Sequence, residues 1–300
     1  GQALVLALVA IGFLTAIVGA TSTMLLSHAR ISAHERHRQE AYYAARAGLE
    51  VGLNILKKDN MEYDALSDGW NVSGDAARGE IPTGTFHVGR SRGRSKHGII
   101  DAERKLNINT ATVSMLKTLS PRLTSDIARR IVERRQENLF GSNDELMHFW
   151  RNEIAESEDA PPTFEYLKHL TVYGNGTINV NTASPSVLRC VPGFSPDVVG
   201  QIIERRNGPD GEPGTGDDAP YKDLNTLRES VNINREEWQT ARDWITTSST
   251  SFIIRTGGRS RTSPEARAST RSVVIRTPQG LSVVEHYRDG FDTRFWESQP

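Results

Sequence analysis

The sequence has a single cysteine, Cys190, so no internal disulfide framework holds it together. It has no charge excess either. Its 36 basic residues meet 37 acidic ones, which removes the global basic bias of a protein that coats DNA. Recognisable catalytic sets are missing: there is no Gly-x-Ser-x-Gly, no phosphate-binding glycine loop and no Cys-x-x-Cys. HERH, at His34–His37, lacks the His-Glu-x-x-His spacing of a zinc site and falls on an amphipathic stretch. Cys190 stands among apolar residues, as a core thiol would. These absences point away from an enzyme. The length of 300 residues allows two compact domains, or one domain with a large insertion.

Charge is also missing from residues 3–26, ALVLALVAIGFLTAIVGATSTMLL. As a helix they span roughly 36 Å, enough to cross a bilayer core with some tilt. A cleaved signal peptide would end in a short apolar region and a small-residue cleavage site. Here the chain runs on without proline through SHARISAHERHRQEAYYAARAGLEVGLNILKKDN, with apolar residues at Ile31, Ala41, Ala44, Ala45, Leu49, Leu53 and Leu56. The pattern predicts one helix of about 55 residues, membrane-spanning over 1–26 and amphipathic over 27–58, ending near Lys57–Lys58.

Beyond it, 69–84 reads as a polar, glycine-rich loop, and short strands are expected at 85–88 and 98–101, flanking the basic stretch RSRGRSK. Residues 106–245 read as helical. After Ser248 three β-branched, alternating runs (SFIIRTGG, RASTRSVVIRT and LSVVEHYRD) predict an antiparallel meander. The expected organisation is α+β: the N-terminal helix (1–58), a first β region (59–105), an inserted α-helical domain (106–245) and a C-terminal β region (246–300).

Within the insert a motif recurs. Residues 106–135 align with 178–206 after one deletion: Asn107, Asn109, Thr110 and Ala111 meet Asn179, Asn181, Thr182 and Ala183, and Glu133, Arg134 and Arg135 meet Glu204, Arg205 and Arg206. Thr112 and Ser184 are N-cap candidates for the first helix of each copy, Thr124 and Ser195 for the second. Leu116, Leu119, Ile127 and Ile131, with Leu188, Val191, Val198 and Ile202, are the expected packing residues. The two copies resemble the helix-hairpin-helix family. DNA-binding members present backbone N–H groups to phosphate from a Pro-Gly-x-Gly turn. The second copy reads Pro192-Gly193-Phe194-Ser195 and the first Ser120-Pro121-Arg122-Leu123, so both have lost glycines that let backbone approach a phosphate. The arginines alternate with glutamates, as on a solvated helix face. Scaffolding is favoured over nucleic-acid binding.

The long apolar-then-amphipathic helix resembles the type IV pilin and pseudopilin family. With the Asn-x-Asn-Thr-Ala hairpins inserted between two β regions, the whole chain is similar to the minor pseudopilin K family of bacterial type II secretion. The resemblance implies a pilin-like fold, anchorage in the bacterial inner membrane with the globular part in the periplasm, and prepilin-peptidase processing between Gly1 and Gln2. It implies I- and J-type minor pseudopilins and the major pseudopilin as partners. Most family members carry a glutamate where this chain has Leu6. A carboxylate in a bilayer costs roughly 2.5–3.5 kcal/mol on insertion scales, and in the family it meets the N-terminal amine of the subunit above. A subunit at a filament tip has nothing above it. Two other readings stay open: a membrane-anchored helix-hairpin-helix DNA receptor of the competence type, and a minor pilin of a type IV pilus.

One loop remains. NGPDGEPGTGDDAP places Asp210, Glu212, Asp217 and Asp218 on a glycine-rich backbone, with the hard oxygens Ca²⁺ requires but not the spacing of an EF-hand. An ordinary acidic surface loop has the same composition. Calcium is implied by the pseudopilin-K resemblance, with Asp210, Asp217 and Asp218 as the expected ligands.

Overall fold

The structure, a computed structural model, describes residues 1–71, 77–89, 99–120, 122–154 and 168–289. The RSRGRSK stretch and Pro121 lie outside them. One helix, α1 (Gln2–Lys58), carries both the apolar run and the amphipathic continuation. It is near the N-terminus and, by length and composition, apolar enough to cross a membrane. At 1.5 Å per residue it is about 85 Å long. Residues 1–32 are exposed throughout. Burial begins further on, at Ala41, Ala44, Ala45, Gly48, Leu49, Gly52 and Leu56. Ile31, expected on the same apolar face, is exposed, because the sheet does not reach that far along the helix. Lys57 and Lys58 occupy the last turn, where cations meet the negative helix end.

The buried half of α1 lies on an antiparallel sheet. Its strands are β1 (Arg78–Ile81), β2 (Gly84–Val88) and β3 (Ile99–Asp101), then β8 (Ser251–Ser260), β9 (Arg267–Thr277) and β10 (Gly280–Asp289). The order is β1-β2-β8-β9-β10, with β3 pairing β8 beside β2. Small residues set the close approach of helix and sheet. A Cβ on Gly52 would come within 2.8 Å of Ile254, and one on Gly258 would strike the Ala41 carbonyl. The Thr256 hydroxyl donates to the Ala45 carbonyl at 2.7 Å. Leu49, Leu56, Trp70, Val88, Ile99, Phe252, Ile254 and Val274 form the core between the layers. The three C-terminal strands stand where the alternating runs predicted them. β1 corrects the expectation of a loop over 69–84: Arg-Gly-Glu-Ile has no apolar alternation, and pairing with β2 alone makes it a strand.

Between β3 and β8 stands the insert, with its own core running from Leu106 to Ile245. Its helices are α2 (Val113–Leu119), α3 (Ser125–Glu137), α4 (Asn143–Phe149), α5 (Pro185–Leu188), α6 (Pro196–Arg206), α7 (Leu224–Ser230) and α8 (Arg235–Ala241). The segment is not purely helical, as the sequence suggested. β4 (Leu106–Asn107) pairs in parallel with β5 (Leu170–Thr171), and β6 (Ile178–Asn179) with β7 (Ile245–Thr246). Two-residue strands leave no periodicity to read.

Candidate functional site

Each copy of the repeated motif is a latch. Thr112, Thr124, Ser184 and Ser195 all cap their helices, accepting from the backbone N–H groups of Met115, Ile127, Val187 and Val198. The first asparagine of each motif turns the chain. Asn107 Oδ1 accepts from the Asn109 N–H, and Asn179 Oδ1 from the Asn181 N–H, both at 2.9 Å. The second asparagine acts as a detached piece of strand. Asn109 donates to the Phe140 carbonyl and accepts from the Phe140 N–H, both at 2.9 Å. Asn181 does the same with Tyr221, at 2.9 and 2.8 Å. An amide side chain carries the donor and acceptor of a peptide unit side by side, which is why asparagine is required there.

The paired arginines close the latch from the other side. Arg135 Nη1 donates to the Ile108 and Ala111 carbonyls, and Arg206 Nη1 to the Val180 carbonyl, each at 2.7 Å. Arg134 stacks over Phe140 at 5.3 Å and Arg205 over Tyr221 at 5.2 Å. The expectation of solvated arginine faces is therefore corrected for Arg135 and Arg206, which turn inward onto unpaired carbonyls. The duplication also extends beyond the sequence alignment. Two residues after each aromatic, Ser142 and Asp223 cap α4 and α7. Leu146 and Leu227, six residues after it, are buried. Thr171 and Thr246, at the ends of β5 and β7, each accept from the N–H two residues on.

Among the described residues, the hairpins offer no phosphate seat. Gly193 has φ of 87°, as the turn demands, but a Cβ there would strike the Glu237 carbonyl of α8. Backbone of this chain already covers the glycine. Arg122 of the first turn is exposed and Leu123 is buried. Cys190 lies inside, its thiol pushed up to about 12 by burial.

Beneath the insert, where it meets the end of α1 and the sheet, is a cluster of buried carboxylates. Arg276 of β9 donates to both oxygens of Asp64, at 2.6 and 2.5 Å, and to Asp59 at 3.0 Å. Asn179 Nδ2 reaches the Asp64 carbonyl, Asp101 Oδ2 and the Ser249 hydroxyl, tying the second latch to the sheet. Thr182 donates to Asp101 at 2.5 Å. Glu103 Oε1 accepts from the Thr250 N–H and hydroxyl, while Oε2 is buried with no hydrogen-bond partner among the described residues. Burial pushes Asp64 up to about 7 against the pull of Arg276, and Asp68 up to about 6. Glu103 is pushed up to about 7 by burial and then by Asp101. Asp59, Asp64 and Asp68 have oxygens within 4.8 Å of one another, a spacing that could hold a metal ion. The cation two of them already share is the Arg276 guanidinium.

The acidic loop is an insertion into the second copy. Four residues separate Arg135 from Phe140 and fourteen separate Arg206 from Tyr221. Glycines at positive φ, Gly208, Gly211 and Gly214, fold it. The Thr215 hydroxyl lies 2.7 Å from Asp217 Oδ1, 3.3 Å from Asp218 Oδ1 and 3.1 Å from the Glu212 carbonyl. Asp210 turns instead to the Glu212 N–H, at 2.7 Å. Leu6 is exposed on α1, and Gly1 precedes its first turn. His34 is exposed, and His37 reaches Glu40 and Thr262.

A helix-hairpin-helix motif model matches residues 101–153, the first copy alone. No curated protein matches the sequence. The crystal structure of the GspK–GspI–GspJ complex from the type 2 secretion system of enterotoxigenic Escherichia coli contains a similar chain. The likeness has a TM-score of 0.57 and 16% identity, and covers 86% of this chain and 99% of that one. The fold is GspK-like. With it go the long apolar helix, the small antiparallel sheet and the helix-hairpin-helix insert.

Proposed function

We propose that this chain is a minor pseudopilin at the tip of a short periplasmic filament of type II secretion, anchored in the inner membrane by α1 and helping to start the filament. The observation that carries the reading is where the bulk sits. Asp59 and Asp64, just past the C-terminal end of α1, are bonded to the junction below the insert. The apolar residues 3–26 lie at the other end of the helix. A latched insert at the distal end leaves no room for another subunit stacked above, while α1 and the sheet remain free to pack sideways. Leu6 suits the same place, since a tip subunit has no amine above it to meet a carboxylate. Processing between Gly1 and Gln2, I- and J-type companions, and a major pseudopilin added below belong to this reading.

The acidic loop fits calcium. Thr215 Oγ1, Asp217 Oδ1, Asp218 Oδ1 and the Glu212 carbonyl converge as an all-oxygen set, which is the donor chemistry Ca²⁺ takes. Asp217 and Asp218 would hold the ion, with Asp210 joining if its side chain turns from the Glu212 N–H. Bound there, calcium would fix the one stretch that the first copy lacks.

The test is co-purification of the chain with the I- and J-type proteins encoded beside it. Association at about micromolar concentration or tighter is expected, the range of specific protein contacts. No association would defeat the tip reading. Tight, salt-sensitive binding to duplex DNA would favour the receptor reading instead.

A further inference from the structure

The sheet face turned away from α1 meets the insert at Ile253, Val273 and Arg271, whose guanidinium reaches Asp144 at 3.3 Å, and beyond them its far end has no part in the anchor, the latches or the acidic loop. Gly258 sets its direction. Because a Cβ there would strike α1, its neighbours along β8, Gly257 and Arg259, point to the opposite side. On that side Arg259 stands directly across from Arg267 of β9, and Arg78 of β1 across from His87 of β2. Arg78, Arg259 and Arg267 are exposed. Among the described residues, no carboxylate lies within ion-pair distance of any of the three. Of the acids on this face whose side chains are described, Glu80 is taken by Arg261 at 3.2 Å and Glu285 by the Tyr173 hydroxyl. Like charges directly opposite on antiparallel strands destabilise a sheet. The Arg259–Arg267 pair is therefore unfavourable in the free chain, and nothing described in the chain offsets it.

We propose that this arginine face docks an acidic surface of a companion protein. The orientation selects a protein over lipid. α1 lies on the other side of the sheet, so the face looks across the helix axis and not along it towards a membrane. Nucleic acid is disfavoured because the aromatic residue on this side, Tyr287, is stacked against Arg271 at 4.7 Å and offers no free ring to a base. His87 lies flat over Gly257, where a Cβ would meet its ring, so the surface has no central obstruction. The inference rests on the tip reading for the identity of the companions.

The experiment uses the full chain in detergent with the neighbouring I- and J-type proteins. Arg259→Glu with Arg267→Glu is expected to weaken their association about tenfold, and wild-type binding to fall as salt is raised, since exposed charge contacts are screened. Arg267→Glu alone places opposite charges across the strands. It should raise the melting temperature of the isolated chain while weakening companion binding, a combination that a merely structural role would not give. Wild type and variants binding equally well would overturn the inference and leave the tip reading standing. Wild type binding neither companion would overturn both. Variants that lose duplex DNA or phosphatidylglycerol vesicles while keeping companions would overturn the choice of a protein partner.

Discussion

Asn181→Ala is the sharpest test of the latch. Asn181 is 3% exposed. Its side chain accepts from the Tyr221 N–H at 2.8 Å and donates to the Tyr221 and Thr247 carbonyls at 2.9 and 3.3 Å. Alanine leaves the Tyr221 N–H and carbonyl without their partner inside the insert. A buried polar group left unpaired costs about 1–3 kcal/mol, so the two together predict a loss of about 4 kcal/mol. That is a large fraction of the 5–15 kcal/mol by which domains of ordinary size are stable. Asn109→Ala removes the same pair of bonds to Phe140, but Asn109 is half-buried and water replaces part of what is lost. About 2 kcal/mol is expected there. The assay is urea unfolding of the chain without residues 1–26, none of which is buried, followed by tryptophan fluorescence from Trp150 and Trp238 of the insert. A loss below about 1 kcal/mol for Asn181→Ala, or a larger loss for Asn109→Ala, would refute the account of asparagine as a detached strand.

Arg276→Met should destabilise by about 3–5 kcal/mol, because it leaves Asp59 and Asp64 buried without their cation; unfolding that matches wild type would show the pair to be dispensable. Glu103 gives a pH signature. Its folded pKa of about 7 lies above the ordinary 4.5, so its contribution is full below the ordinary value and is lost as pH rises through about 7. The melting temperature should therefore be higher at about pH 5.5 than at about pH 8, and Glu103→Gln should reduce that difference by its own share, about 3 kcal/mol at most, leaving the part due to Asp64 and Asp68. Chelation should lower the melting temperature if the acidic loop holds calcium, and Asp217→Asn with Asp218→Asn should remove the response; an unchanged melting curve on chelation would count against a structural metal.

Much of this was legible because the signals were local. An uncharged run of 24 residues, alternating β-branched strands and hydroxyl caps each act within a few residues of where they are read. What the sequence hid is non-local. β1 is a strand only because β2 lies beside it. The partners of Asn109 and Asn181 stand 31 and 40 residues away. The inward turn of Arg135 and Arg206 depends on carbonyls left open by a bend more than twenty residues earlier. The junction carboxylates come from two separate stretches, and their partners Asn179, Thr250 and Arg276 from three more, so no spacing announces them. A weak signal for the full duplication was present: Phe140 and Tyr221 each precede a capping residue by two, but the ten extra residues of the acidic loop hide the match.

The duplication shows how the insert divides its work. Both copies keep the asparagine clasp, the inward arginine and the aromatic beneath its neighbour, because those groups satisfy backbone that would otherwise be buried unpaired. They differ at their outer ends. Asn107 of the first copy reaches the carbonyls of Tyr173 and Gly174, in the turn that follows β5 of the insert. Asn179 of the second reaches Asp64, Asp101 and Ser249, which belong to the sheet side of the junction. The second copy is therefore the part of the insert tied to the buried carboxylates, and it also carries the acidic loop. Gly214 of that loop lies against the Leu66 carbonyl, two residues beyond Asp64. A change in the loop has a short route to the junction, through Leu66 and Asp64 to Arg276, and the first copy has none of these contacts. If the loop holds calcium, its removal should accordingly loosen the sheet–insert junction before it loosens the first latch. Hydrogen exchange after chelation can separate the two: the Ser249 N–H, bonded to Asp64 at 2.6 Å, should lose protection while the Phe140 N–H keeps it. Equal loss at both amides would mean that the insert responds as one cooperative unit.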